Sequence, residues 1–169
     1  MRTSQKGITL IKHFEQLHDG DLHVIGLQPK QDPIGIWTVG WGRALRDPKT
    51  GDFLRGLKDK DKAYAMYPSL TEEEAEQMLQ EDLRYMEQVV MRKVTRNLQQ
   101  HEFDALVSHT YNTGGSTGLF ARASRDNLED TLNWFRTKYV TGGGKKLPGL
   151  ERRRRAEAHL YGTGKLNFN

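Results

Sequence analysis

The chain has 169 residues, 36% of them apolar and 28% charged, which suits one compact domain with a real core. It contains no cysteine, and this excludes a disulfide framework, a thiolate metal site and a cysteine nucleophile. The formal charge of +4, from 26 basic and 22 acidic residues, implies mild attraction to anionic surfaces. Nucleic acid and bacterial cell wall both qualify, and charge alone does not choose between them.

The N-terminus, Met1 to Lys6, runs straight into a helical pattern. It offers no apolar stretch long enough for a signal peptide or membrane span, so delivery outside the cytoplasm is expected to need other machinery. Ser4 to about Leu17 reads as a helix, with Ile8, Ile11 and Glu15 on one face. Residues 22–31 show no clear period. The turn signal Asp32-Pro33-Ile34-Gly35 precedes a strand-like run from Ile36 to Gly42. Alternation there puts Ile36, Thr38 and Gly40 on one face and Trp37, Val39 and Trp41 on the other. Residues 44–70 are rich in charge, Gly and Pro, and predict an extended loop with a weak hairpin around Pro48–Gly51.

Thr71-Glu72-Glu73-Glu74 is a capping box, and the helix it opens is long enough to join two lobes. Three further helices are predicted. They cover roughly Gln99–Thr113, Asp126–Val140 and Pro148–Tyr161, each with glycine in the stop position: Gly114, Gly142 and Gly162. No internal repeat is present. The expected class is α+β, a single domain with a small lobe over about 15–70 and a linking helix over about 71–97. A helical lobe over about 98–169 is joined by the N-terminal helix.

Glu15 has an odd address. It lies on an apolar stripe and in the last turn of its helix, where the carbonyl end of the dipole disfavours a carboxylate. A carboxyl that keeps its proton is what a general acid needs. From position alone, an ordinary exposed glutamate at a helix end is the commoner explanation.

The downstream sequence changes that balance. Phe14-Glu15-Gln16-Leu17, followed by Asp32, Thr38, Gly40 and Gly42 in the run to position 42, resembles the N-terminal signature of the phage-type lysozymes (the T-even phage lysozyme family, glycoside hydrolase family 24). Phe103-Asp104-Ala105-Leu106-Val107-Ser108 with Tyr111-Asn112-Thr113-Gly114 is similar to a second segment of that family. Gly149-Leu150, Arg153-Arg154, Glu157 and Leu160-Tyr161 are similar to its terminal helix. The three segments occur in family order over nearly the whole chain.

The resemblance implies a lysozyme-like fold and hydrolysis of the β-1,4 bond between N-acetylmuramic acid and N-acetylglucosamine in peptidoglycan. Glu15 would be the general acid, with Asp32 and Thr38 holding the attacking water. That arrangement is expected to invert the anomeric centre, with carboxyls about 6.5–9.5 Å apart. Gly40 and Gly42 would let glycan approach the strand backbone, and Asn112 with Gly114 would meet the sugar from the other lobe. Glu15 and Asp32 stand farther apart than in the family pattern, which implies an insertion within Asp19–Gln31. Asp19 and Asp21 are the alternatives to Asp32, whose spacing to Thr38 favours it. Arg43 replaces the family's usual histidine and is expected to pair with a carboxylate of the 44–62 loop.

No cofactor or metal is implied; the steps between His13, His18 and His23 fit no usual ligand pattern. Arg152–Arg155 is short and spreads around a helix, which favours structural pairing, for example with Glu157, over nucleic-acid binding. Trp37 and Trp41 serve a core or stack on sugar, and Trp134 packs between C-terminal helices. The expected partner is peptidoglycan glycan, met by a monomer without stable membrane association. The resemblance also implies that the chain accumulates in the host cytoplasm until a holin releases it. A lytic transglycosylase and a non-catalytic wall-binding module are the other readings.

Overall fold

Helix α1 (Gln5–Glu15) opens the computed structural model, which describes residues 1–169. Ser4 starts it. Its carbonyl accepts from the Ile8 N–H at 3.0 Å, and its own N–H donates to Asp104 Oδ1 at 2.9 Å. Leu10 and Ile11 are fully buried, as an amphipathic stripe requires. The helix ends short of Leu17 because Gln16 turns to φ 57°, the left-handed conformation that commonly stops a helix.

The chain divides into two compact units, Met1–Phe14 with Asp82–Asn169, and Glu15–Glu81. The smaller unit carries a three-stranded antiparallel sheet of β1 (Lys30–Gln31), β2 (Trp37–Val39) and β3 (Arg43–Ala44), in that order. Thr38 pairs with Lys30 on one side and Ala44 on the other. The long strand signal yields a short ladder because Gly40 and Gly42 take φ of 59° and 99°, outside the β region. All three residues of β2 are buried, so both of its faces are covered. Leu27, Trp37, Val39, Leu45, Leu54 and Leu70 form the heart of this unit's core.

The expected hairpin around Pro48–Gly51 is present, closed by the Arg46–Phe53 bridge and by a 2.8 Å bond from the Gly51 N–H to the Asp47 carbonyl. The rest of 44–70 departs from the expected loop. A 3-10 turn at Leu57–Asp59 leads into α2 (Lys60–Met66), anchored by the buried Ala63. Helix α3 (Glu72–Lys93) begins on the capping box. Glu74 N–H donates to Thr71 Oγ1 at 3.1 Å, and Thr71 N–H donates to Glu74 Oε2 at 2.8 Å.

The helical unit holds the rest of α3 with α4 (Gln100–Thr113), α5 (Thr117–Ser124), α6 (Leu128–Thr137) and α7 (Pro148–Thr163). Helix α4 packs on α7, α7 on α6, and α6 on α5. Phe103, Leu106, Leu119, Phe135 and Leu160 are fully buried among them.

Three features differ from expectation. Helix α5 lies between the predicted stop at Gly114 and the next predicted helix and has no counterpart in the expectation; Ser116 is its N-cap, accepting from the Leu119 N–H. Gly142–Gly144 does not simply stop a helix: it turns the hairpin of β4 (Thr141–Gly142) and β5 (Lys145–Lys146). Gly162 lies inside α7, and the stop is Gly164 at φ 69°.

Candidate active site

Glu15 is the last residue of α1 and is half-buried. The chain reverses at Gln16, and His18 then returns to the sheet region, its N–H donating to the Gly40 carbonyl at 2.9 Å. The strand end therefore comes back beside the carboxyl. A Cβ placed on Gly42 would lie 2.7 Å from Glu15 Oε2 and 3.3 Å from its Cδ. Only a residue without a side chain leaves that carboxyl its present position. At φ 99°, Gly42 also has a backbone that L side chains rarely adopt.

Asp32 sits at the turn between β1 and β2. Its Oδ1 accepts from the N–H groups of Ile34 and Ile36, both at 2.9 Å, and its own N–H donates to the Ile36 carbonyl at 2.8 Å. These bonds fix the carboxylate by one oxygen. Thr38 is buried in β2, and its hydroxyl donates to the Lys30 carbonyl at 2.9 Å. Its proton is thus committed, and the oxygen faces any further partner as an acceptor. Asp19 and Asp21 each spend an oxygen on their own loop, receiving the N–H groups of Asp21 and His23.

Gly40 is buried, and the space its side chain would need is bounded by Ala75 and Leu70. It thus has a packing reason independent of any ligand. Trp37 is also a core residue, with its Nε1 donating to the Gly56 carbonyl at 2.8 Å. Arg43 meets a carboxylate on α3. It bonds Glu81 Oε2 at 3.2 Å and the Met78 carbonyl at 2.9 Å.

In the helical unit, Asn112 lies exposed near the end of α4, and Gly114 is that helix's left-handed C-cap at φ 83°. Beneath Asn112 is a buried charged network that the sequence only hinted at. Glu157 Oε1 accepts from Ser108 Oγ at 2.8 Å and from Arg153 Nε at 3.1 Å, while Oε2 accepts from Arg154 at 2.7 Å. Arg154 also donates to Asn112 Oδ1. Arg154 and Glu157 are fully buried, so the arginine run is structural at these positions. Ser108 was missed as a polar anchor. Its signal was a hydroxyl on the apolar face of α4.

His109, also missed, is fully buried between the edges of Phe135 and Tyr139. Burial pushes its imidazole down to about 4 against the favourable pull of Glu157.

The phage lysozyme family matches residues 22–157 of this chain. The endolysin of Bacillus phage B103 is 29% identical over 97% of the chain, which spans 55% of that protein. The endolysin of Acyrthosiphon pisum secondary endosymbiont phage 1 is 28% identical, across 95% of this chain and 98% of its own length. Among solved structures, the endolysin from Escherichia coli O157:H7 phage FAHEc1 superposes with a TM-score of 0.72 at 31% identity, covering 99% of this chain and 97% of that one. With the α+β fold shared and the match reaching from the small unit into α7, the chain belongs to the phage lysozyme family.

Proposed function

We propose that the protein hydrolyses the β-1,4 bond between N-acetylmuramic acid and N-acetylglucosamine in peptidoglycan, with inversion. The observation that carries this reading is the Glu15 carboxyl set against the bare face of Gly42, at the end of α1. Glu15 donates its proton to the glycosidic oxygen as the bond from C1 to that oxygen breaks. Asp32 and Thr38 hold a water on the opposite face of the sugar. The water oxygen bonds to C1 and its proton passes to Asp32. Thr38 suits this role because its hydroxyl proton is given to Lys30, which leaves lone pairs for a water O–H. The geometry of Asp32 leaves Oδ2 for the same water, since Oδ1 is engaged by two N–H groups.

Glu15→Gln keeps the shape but removes the proton. Loss of clearing on purified peptidoglycan by at least about a hundredfold is expected; retained activity would defeat the assignment. Mass spectrometry of the muropeptides tests the reaction class. Products lighter by one water would mean a transglycosylase. The relatives named as endolysins support a role in host lysis, with the chain reaching the wall through a membrane opened by a holin. No helix is long and apolar enough to cross a membrane. Host cells expressing the chain should lyse only when a holin is co-expressed, and lysis without one would remove that step.

A further inference from the structure

We infer that Arg154, held by Glu157, is a positioning residue that turns the Asn112 amide donor-outward, so that Asn112 selects the acetamido carbonyl of the glycan. This rests on the lysozyme reading above and adds a specificity device to it.

An asparagine amide has a donor end and an acceptor end, and either can face outward. Here the choice is made chemically. A guanidinium carries donors and no acceptor, so the amide atom turned to Arg154 must be Oδ1. The Nδ2 hydrogens are then the end that an exposed Asn112 presents.

Arg154 is itself immobilised. It is 0% exposed, and one of its nitrogens lies 2.7 Å from Glu157 Oε2. Glu157, also fully buried, is gripped on its other oxygen by Ser108 and Arg153. Ser108 and Asn112 stand one helical turn apart on α4, while Arg154 and Glu157 do so on α7. The chain of bonds from Ser108 through Glu157 and Arg154 to Asn112 ties two packed helices to one outward N–H pair. Such a group rewards an sp2 acceptor, and the acetamido oxygen is the one repeated along peptidoglycan glycan.

The deciding variant is Asn112→Asp, which keeps an oxygen for Arg154 but loses every donor. Measured on purified peptidoglycan, its KM should rise about tenfold with kcat little changed, matching Asn112→Ala. On the same peptidoglycan after de-N-acetylation, wild type and the uncharged Asn112→Ala should share one KM. A wild-type KM for Asn112→Asp on the acetylated glycan would overturn the inference, as would an equal Asn112→Ala penalty on the de-N-acetylated one.

Arg154→Lys should raise KM in the wild-type background and add nothing to Asn112→Ala, since its effect passes through the amide. Additive effects would reduce Arg154 to a stability role. Should Arg154→Lys not fold, the Asn112 pair still decides, because that residue lies at the surface. Glu15→Gln separates the two levels. If it abolishes activity while Asn112→Asp behaves as wild type, only the specificity device is lost.

Discussion

Gly42 is where a single atom matters most. A methyl there would sit 2.7 Å from Glu15 Oε2, closer than real Cβ contacts, on a backbone with φ 99°. Gly42→Ala must therefore strain the backbone and push the carboxyl aside, whereas Gly51→Ala, at φ 78° with open space around it, carries the strain alone. Each should lose about 1–2 kcal/mol of stability, read from denaturant melts. Only Gly42→Ala should also lose activity, by about tenfold or more. Equal activity in the two would mean that the carboxyl tolerates displacement. The sequence placed Glu15 and Gly42 in one signature but read the glycine as room for glycan, and gave no reason for it within the protein. The reason is a contact across 27 positions of chain, which no local pattern records. The Arg43 partner Glu81 was hidden for the same cause, since it lies a full segment away on α3.

At the scale of elements, the helices with caps written in the sequence were legible. Thr71 with Glu74, and the stop at Gly114, are found as read. Glycines inside helices were not legible. A Cβ on Gly118, in α5, would come within 2.4 Å of Trp134, so this glycine makes room for α6. Gly162, read as a stop, is an interior residue of α7 where a Cβ would meet Leu132 only at ordinary contact distance, and in sequence it looks like a breaker.

The second family-like segment was recognised, but its purpose appears only in the packing. Asp104 is 1% exposed and accepts from the Ser4 N–H, the Ser4 hydroxyl and the Gln100 amide. It fastens the start of the helix that ends on Glu15. Asp104→Ala leaves those donors without their acceptor and should cost about 2–3 kcal/mol. Amide exchange in α1 should accelerate more than in α6, which shares no bond with Asp104. Uniform acceleration would show that α1 has no separate anchorage.

For the molecule as a whole, the buried ionisable groups set how stability responds to acid. His109 is enclosed by Phe135 and Tyr139, and burial holds its folded value down to about 4 against an ordinary 6.5. Its Nδ1 faces Thr113 Oγ1 at 3.3 Å, and that hydroxyl donates to the His109 carbonyl at 2.8 Å. The hydroxyl oxygen must therefore accept from Nδ1–H, leaving Nε2 as the bare nitrogen, which meets no hydrogen-bond partner.

The folded state thus takes up this proton later than the unfolded chain does. Stability is full above about pH 6.5 and is lost as pH falls from there toward 4, by on the order of 3 kcal/mol. Glu102 acts lower. Burial opposes its charge, but the paired Arg96 and the Gln99 N–H outweigh that and hold its carboxyl below the ordinary 4.5. Its contribution persists until the pH drops beneath that value. Urea melts between pH 7 and 4.5 should accordingly show falling stability in the wild type. The slope should flatten in His109→Gln, which cannot take the proton, even if that variant starts from a lower plateau. An unchanged slope would place the early acid sensitivity elsewhere, whereas a flattened one would tie it to one imidazole sealed between α4 and α6.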